Sequence, residues 1–338
     1  MNKNVKLVLS TISLALLLCS CRGGRGGRGS GSVIPSSGTS GAPSQTSSQT
    51  SGQSGASGQS STTGTSGESS QGSSGEDSSS TEIPPTSVPS VIPTSLPPDV
   101  NTYYASITDD LMGDDLLNAL NSLNNSMKKR TVGYAGMRDF AAKCDADPDG
   151  SGKIIGFYDN AKIGPSWDSG KTWNREHVWP NARGGGSVEA DAHMVRPASV
   201  STNSGRGSKG FGTDSFDPGK DVPFYRGVAS RIIFYCAIAN KSLKLSEDPF
   251  NHDYSGSDPS NTMGCLGDML RWNLQYQSAD TSFTGANDIA RRTELNRNDV
   301  IQTDSDGQGN RNPFIDHPEY ACRIWGTTDT TTRSICGM

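Results

Sequence analysis

Trp173-Asn174-Arg175-Glu176-His177-Val178-Trp179-Pro180 sets a carboxylate and an imidazole side by side in a frame of bulky apolar residues. Trp173, Val178 and Trp179 favour extended structure and Pro180 ends it, so the octapeptide reads as a strand with a stop. Glu176 is a hard oxygen donor of the kind that Mg²⁺ takes, and His177 accepts a proton near neutral pH. Together they suit hydrolysis of a phosphate ester. An isolated Glu-His pair on a surface strand would carry no such meaning, so the neighbouring sequence decides.

Downstream, Asn181-Ala-Arg-Gly-Gly-Gly-Ser187 reads as a loop. Asp191-Ala-His-Met-Val-Arg-Pro197 alternates polar and apolar residues as a second strand does, and Pro197 suits the first position of a helix. The expected local order is strand, loop, strand, helix. Asp191 and His193 share a strand face, which predicts an Asp-His hydrogen bond fixing the second strand. Further along, Gln308 to Tyr320 concentrates Asn310, Arg311, Asn312, Asp316 and His317 around Pro313 and Phe314, the pattern of a buried hydrogen-bonded scaffold.

The chain has 338 residues, of which the first hundred are too poor in large apolar side chains to build a core. Residues 1–21 carry Lys3 and Lys6, an apolar run from Val8 to Leu18 too short to span a membrane, and Leu18-Cys19-Ser20-Cys21, laid out like a lipoprotein signal with Cys21 as the lipidated residue. Residues 22–100, rich in Ser, Gly, Thr and Pro, read as a disordered tether with a reach of roughly 50 Å. Residues 101–338 form one domain. The expected protein is exported, anchored to a membrane through its N-terminus, and monomeric.

Formal net charge is −5, and the first hundred residues carry five basic and five acidic groups, leaving 25 against 30 in the domain. A basic groove would therefore be local, built from Arg175, Arg183, Arg196, Arg206, Lys209 and Lys220 around the octapeptide. Cys322 with Cys336 brackets a short C-terminal loop and is the first expected disulfide; Cys236 with Cys265 is the second, leaving Cys144 free. Asp145-Ala-Asp147-Pro-Asp149-Gly150 begins like a calcium-binding loop but has Gly156 where a bidentate Glu is needed, so it reads as a solvated acidic turn.

Helical spacing of Leu116, Leu117, Leu120, Leu123 and Met127 predicts an amphipathic helix over Asp114–Met127; Val228–Ile238 reads as a buried helix and Met263–Tyr276 as another. The fold class is α+β: a mainly helical domain with a small antiparallel sheet.

Three segments in this order, Trp173–Pro180, Asp191-Ala-His-Met-Val-Arg-Pro-Ala198 with Asn203-Ser-Gly-Arg-Gly207, and Gln308–Tyr320, resemble the bacterial endonuclease I family of secreted non-specific nucleases. The resemblance covers nearly all of residues 101–338. It implies an embedded ββα-metal (His-Me) finger in which His177 is the general base, and Glu176 and Asn203 hold a divalent metal. That metal is expected to be Mg²⁺, with Mn²⁺ or Ca²⁺ as alternatives. The implied substrate is DNA, with RNA as an alternative, bound through its phosphates and cut to 5′-phosphate and 3′-hydroxyl ends. This chain departs from the family with Ser208 where Asn commonly follows Arg-Gly, and with a Gly-rich loop over 181–189.

On the implied finger, Arg206 stands three residues after Asn203 on one helix face, where its guanidinium is expected to clamp a phosphate. Arg183 and Arg196 are weaker candidates. Glu176 and His177 point to opposite faces of a regular strand, so bringing both to one phosphate predicts a distorted strand end at His177. Arg175 is expected to support the site, and Asn174 to orient His177 or a metal-bound water or to brace the strand pair. The competing class is a non-catalytic surface lipoprotein that binds nucleic acid; a third is a phosphodiesterase for small molecules, which would show a closed pocket.

Overall fold

Val228 to Ile238 leaves no polar face, and a helix without one must be surrounded. In the computed structural model it is: residues 225–239 form α5 at the centre of the domain, buried over almost their whole length. The structure describes residues 90–92, 98–212, 215–247 and 261–338. The expected signal at 1–21, Cys21 and most of the tether lie outside the described residues, as does His252.

Among the described residues the elements run α1 (Pro98–Tyr103), α2 (Gly113–Met127), α3 (Gly133–Cys144), β1 (Ile154–Ile155), β2 (Lys162–Ile163), β3 (Trp173–His177), β4 (Val195–Ser199), α4 (Val200–Arg206), α5 (Tyr225–Ala239), β5 (Lys244–Leu245), β6 (Thr262–Met263), α6 (Leu266–Gln275), α7 (Gly285–Thr303), α8 (Pro313–Asp316), α9 (Glu319–Trp325) and α10 (Thr330–Cys336). The class is α+β, with helices predominating and short strand pairs. Two pairs are antiparallel, β1 with β2 and β3 with β4, and the third, β5 with β6, is parallel.

The helices pack as their apolar spacing requires. Leu116 and Leu120 of α2 are buried four residues apart, and Asp114 and Asp115 in its first turn suit the helix dipole. Leu266, Met269, Leu270 and Leu274 make the buried stripe of α6. Both helices pack on α5. Gly227 permits close approach there, since a Cβ at this position would lie 2.6 Å from the Tyr276 carbonyl oxygen. Arg231 of α5, fully buried, forms a bidentate pair with Glu294 of α7 at 2.7 and 2.6 Å.

Folded structure includes residues ahead of 101: Ile92 donates its amide to Gln277 Oε1 (2.7 Å), and Gln277 Nε2 donates to the Ser90 carbonyl (3.0 Å). Cys322 and Cys336 form the expected disulfide, joining α9 to α10. Cys236 with Cys265 does not form; each is buried in the core, as is Cys144. The acidic turn is not solvated. Asp145 is fully buried between Arg196 and Arg297, and Asp147 is buried against Lys162; of the three carboxylates only Asp149 is exposed.

β3 and β4 pair from Trp173↔Ser199 to His177↔Val195, and α4 follows β4 directly. The second strand thus starts at Val195, later than expected, and Pro197 lies inside it instead of opening the helix. The ladder explains how. Val178 N donates to Met194 O, which makes 176–196 and 174–198 the hydrogen-bonded pairs and leaves Pro197 at a position that needs no donor toward β3. Its carbonyl faces outward and accepts from Phe157 N at 2.7 Å.

Candidate active site

The β3–β4 ladder stays regular through His177, and the bend falls one residue later at Val178. The expected distortion at His177 is therefore absent, and Glu176 and His177 leave the strand on opposite faces. Each face has its own set of partners.

Glu176 is 2% exposed. Its Oε1 accepts from Tyr158 Oη (2.8 Å) and Arg206 Nη1 (2.9 Å), and no described residue bonds to Oε2. Burial pushes this carboxyl up; the Arg206 charge and the two hydrogen bonds oppose the shift. Arg206 also donates to the carbonyls of His177 (2.7 Å) and Val178 (2.6 Å) and lies over the Phe211 ring at 4.8 Å. At 1% exposure, the guanidinium expected to clamp phosphate is occupied in fixing the end of β3. Arg183 and Arg196 are equally buried. Arg183 Nε donates to Ser208 O (2.8 Å), and Arg196 Nε donates to Asp145 (3.0 Å). The basic groove that the sequence suggested thus loses three of its arginines to the interior.

On the other face, His177 packs on the Tyr134 ring, centroids 4.5 Å apart, and its Nε2 lies 3.2 Å from Glu189 Oε2. If Nε2 carries the proton donated to Glu189, Nδ1 is the unprotonated nitrogen. Burial lowers the imidazolium below its ordinary range, with Glu189 opposing. Arg175, two residues back on the same face, lies over Tyr134 (3.7 Å) and near Trp167 (4.9 Å).

The two faces meet at one open cleft of about 630 Å³, bordered by Asn174, Arg175, Glu176, His177, Asn203 and Arg206. The loop after β3 is tightly folded: a Cβ on Gly185 would lie 2.0 Å from the Trp179 carbonyl, which accounts for glycine there. Asn203, half-buried on α4, makes no side-chain hydrogen bond to a described residue, and Asn174 makes none either. Glu176 Oε2 and the Asn203 side-chain carbonyl are thus two hard oxygen donors with free valence on one wall. That donor set fits a cation that keeps most of its water, as Mg²⁺ does. Among the described residues no cluster of three or more His, Cys, Asp or Glu side chains would cage a softer metal.

Asp191 and His193 sit away from the cleft, in the turn that leads into β4. The bond between them runs through the backbone: His193 N donates to Asp191 Oδ1 (3.0 Å), while the imidazole Nε2 lies 3.2 Å from Asn310 O. Asp191 further accepts from Lys128, Tyr235 and Gln308 at 2.8, 2.8 and 2.9 Å. Asn310 donates to Asn124 (2.6 Å) and Tyr235 (2.7 Å), so the 308–320 segment acts as the scaffold under this turn.

Sequence reasoning missed Tyr158, Glu189 and Tyr134. Tyr158 and Tyr134 lie 18 and 43 residues before the groups they touch, with no spacing signal. Glu189 was visible only as an acid closing a Gly-rich loop.

Residues 116–221, which include β3, β4 and α4, match the family model described as Endonuclease I. The "Extracellular ribonuclease" of Bacillus amyloliquefaciens is 30% identical over 267 residues, covering 73% of this chain and 84% of that protein. The "Extracellular ribonuclease" of Bacillus subtilis (strain 168) is 30% identical over 248 residues, covering 67% and 79%. No solved structure matches the chain significantly.

Proposed function

This chain belongs to the endonuclease I family and is an endonuclease, and we propose that it hydrolyses nucleic-acid phosphodiesters with His177 as general base and a divalent cation held by Glu176 and Asn203. The observation that carries this reading is the shared cleft: bordering it are an imidazole nitrogen, a carboxylate oxygen and an amide that have no hydrogen-bond partner among the described residues. His177 Nδ1 takes the proton of the attacking water, and Glu189 holds the ring in the tautomer that leaves Nδ1 free. Arg206 and Tyr158 oppose the upward pull of burial on the Glu176 carboxyl and hold it in place through Oε1, so Oε2 stays available to the cation. When bound, the cation supplies positive charge against the phosphate and the leaving 3′ oxygen. Products are 5′-phosphate and 3′-hydroxyl ends, and Mg²⁺ is the cation, with Mn²⁺ or Ca²⁺ as substitutes.

Substrate recognition runs through phosphates: the cleft is open, and the sequence carries no groove-reading helix motif. Both relatives are named ribonucleases, which brings RNA forward beside DNA. Their names also say extracellular, in keeping with export directed by residues 1–21; retention at a membrane through Cys21 rests on the sequence Leu18-Cys19-Ser20-Cys21 alone. The protein acts as a monomer.

The test is incubation of the full chain with plasmid DNA and with RNA, in Mg²⁺ or EDTA, beside His177→Ala. Cleavage should need the metal and fall by roughly 10² to 10⁴ in the variant. Undiminished cleavage by His177→Ala would remove the mechanism, and no cleavage by the parent would remove the activity.

A further inference from the structure

With Arg183, Arg196 and Arg206 buried on protein acceptors, the cleft needs another source of positive charge for a polyanion. Arg175 stands apart from those three. It is half-exposed, it borders the cleft on the face that carries His177, and the only hydrogen bond its guanidinium makes to a described residue runs from Nη1 to the Tyr134 carbonyl. Its Nε is buried without an acceptor, so that edge is turned into the protein. Nη2 has no partner among the described residues and is not buried.

The setting is also rigid. The guanidinium sits with its Cζ 3.7 Å from the Tyr134 ring centroid and 4.9 Å from that of Trp167. Trp167 is braced edge-on by the buried Trp173 at 4.9 Å, and its loop is pinned where Asp168 accepts the amides of Lys171 and Thr172. A second cation follows: Arg138, exposed on α3, places its Cζ 5.6 Å from the Trp167 ring centroid. The two arginines border one indole.

We infer that Arg175, clamped between Tyr134 and Trp167, is the phosphate-binding cation of this cleft, and that Arg138 continues the track to the next phosphate of a single nucleic-acid strand. A preset cation loses little freedom when it binds, so it positions the backbone as well as attracting it. The ligand class is the phosphodiester backbone of unpaired RNA or DNA, and the assignment rests on the nuclease reading above.

The experiment measures binding without chemistry. A labelled single-stranded RNA oligonucleotide is titrated with the full chain in EDTA between 50 and 200 mM NaCl, and Kd is read by fluorescence anisotropy. Arg175→Gln should lower the slope of log affinity against log salt by about 0.7, the value of one single-strand phosphate contact, and Arg138→Gln should lower it by a similar amount. Loss of packing alone would not change that slope. A parental slope in Arg175→Gln overturns the assignment. Should that variant fail to fold by circular dichroism, Arg175→Lys decides. A parental slope with Kd raised about tenfold, because an ammonium cannot lie flat between two rings, supports the clamp; any other pairing overturns it. A parent that cleaves with metal while these slopes stay equal loses this inference alone, whereas a parent that does not cleave loses the nuclease reading.

Discussion

Replacing Arg206 with methionine should cost about 4 kcal/mol of stability. The magnitude follows from what the guanidinium touches. Its pair with Glu176 is buried on both sides, at 1% and 3% side-chain exposure, and removing one partner of such a pair costs about 3–5 kcal/mol because the other charge stays buried. The carbonyls of His177 and Val178 lose their donors as well. Methionine keeps the stem packed near Phe211, which offsets part of the loss. For a domain of this size that corresponds to a fall of roughly 8–16 °C in Tm, measured on the full chain by thermal circular dichroism. A solvent-facing phosphate clamp behaves differently, since its loss changes stability by about 0.5 kcal/mol or less and acts on activity alone. Glu176→Gln supplies the internal control: with the carboxylate gone, Arg206→Met should cost about 2 kcal/mol less than in the parent. A loss under 1 kcal/mol, or strict additivity of the two substitutions, would refute the anchoring role.

Burial holds the His193 imidazole down to about 4. The folded protein keeps this ring neutral while the unfolded chain protonates it near pH 6.5, so its contribution is fully present above 6.5 and is lost as pH falls toward 4, by about 3 kcal/mol. Urea midpoints at pH 7 and 4.5 should differ less for His193→Gln than for the parent, and equal differences would sink the reading. Glu189→Ala should lower kcat on RNA roughly tenfold, a fraction of what a general base contributes, with little change in Tm because the Glu189 side chain is 41% exposed. Cys322→Ser should cost about 3 kcal/mol, the chain-entropy value for a loop of this length, and reducing agent should lower the parent's Tm by the same amount.

Periodic apolar spacing made α2, α5 and α6 legible, because those helices bury stripes or whole surfaces that the sequence displays directly. The Cys322–Cys336 disulfide was legible for a similar reason, its two ends being near in sequence. What escaped were pairings made only in three dimensions. Asp145 looked solvated since its partners, Arg196 and Arg297, lie 51 and 152 residues away. Arg206 looked free on its helix face because nothing local reveals that it reaches back to the end of β3. Tyr158 and Glu189 gave no signal beside Glu176 and His177, and Pro197 misled because its tolerance depends on which edge of the ladder it faces. The octapeptide announced its chemistry; its supports had to be found in the fold.

Asp191 and His193, in the turn that starts β4, are tied to Gln308 and Asn310, bonds that span 117 residues. A chain emerging during synthesis therefore exposes Glu176, His177 and Asn203 long before the segment that supports their geometry exists. Contacts of such separation close late. A chain cut ahead of residue 308 would keep every reactive group of the candidate site, and the turn that leads into β4 as well, while losing the Gln308 and Asn310 side of the bonds that brace that turn.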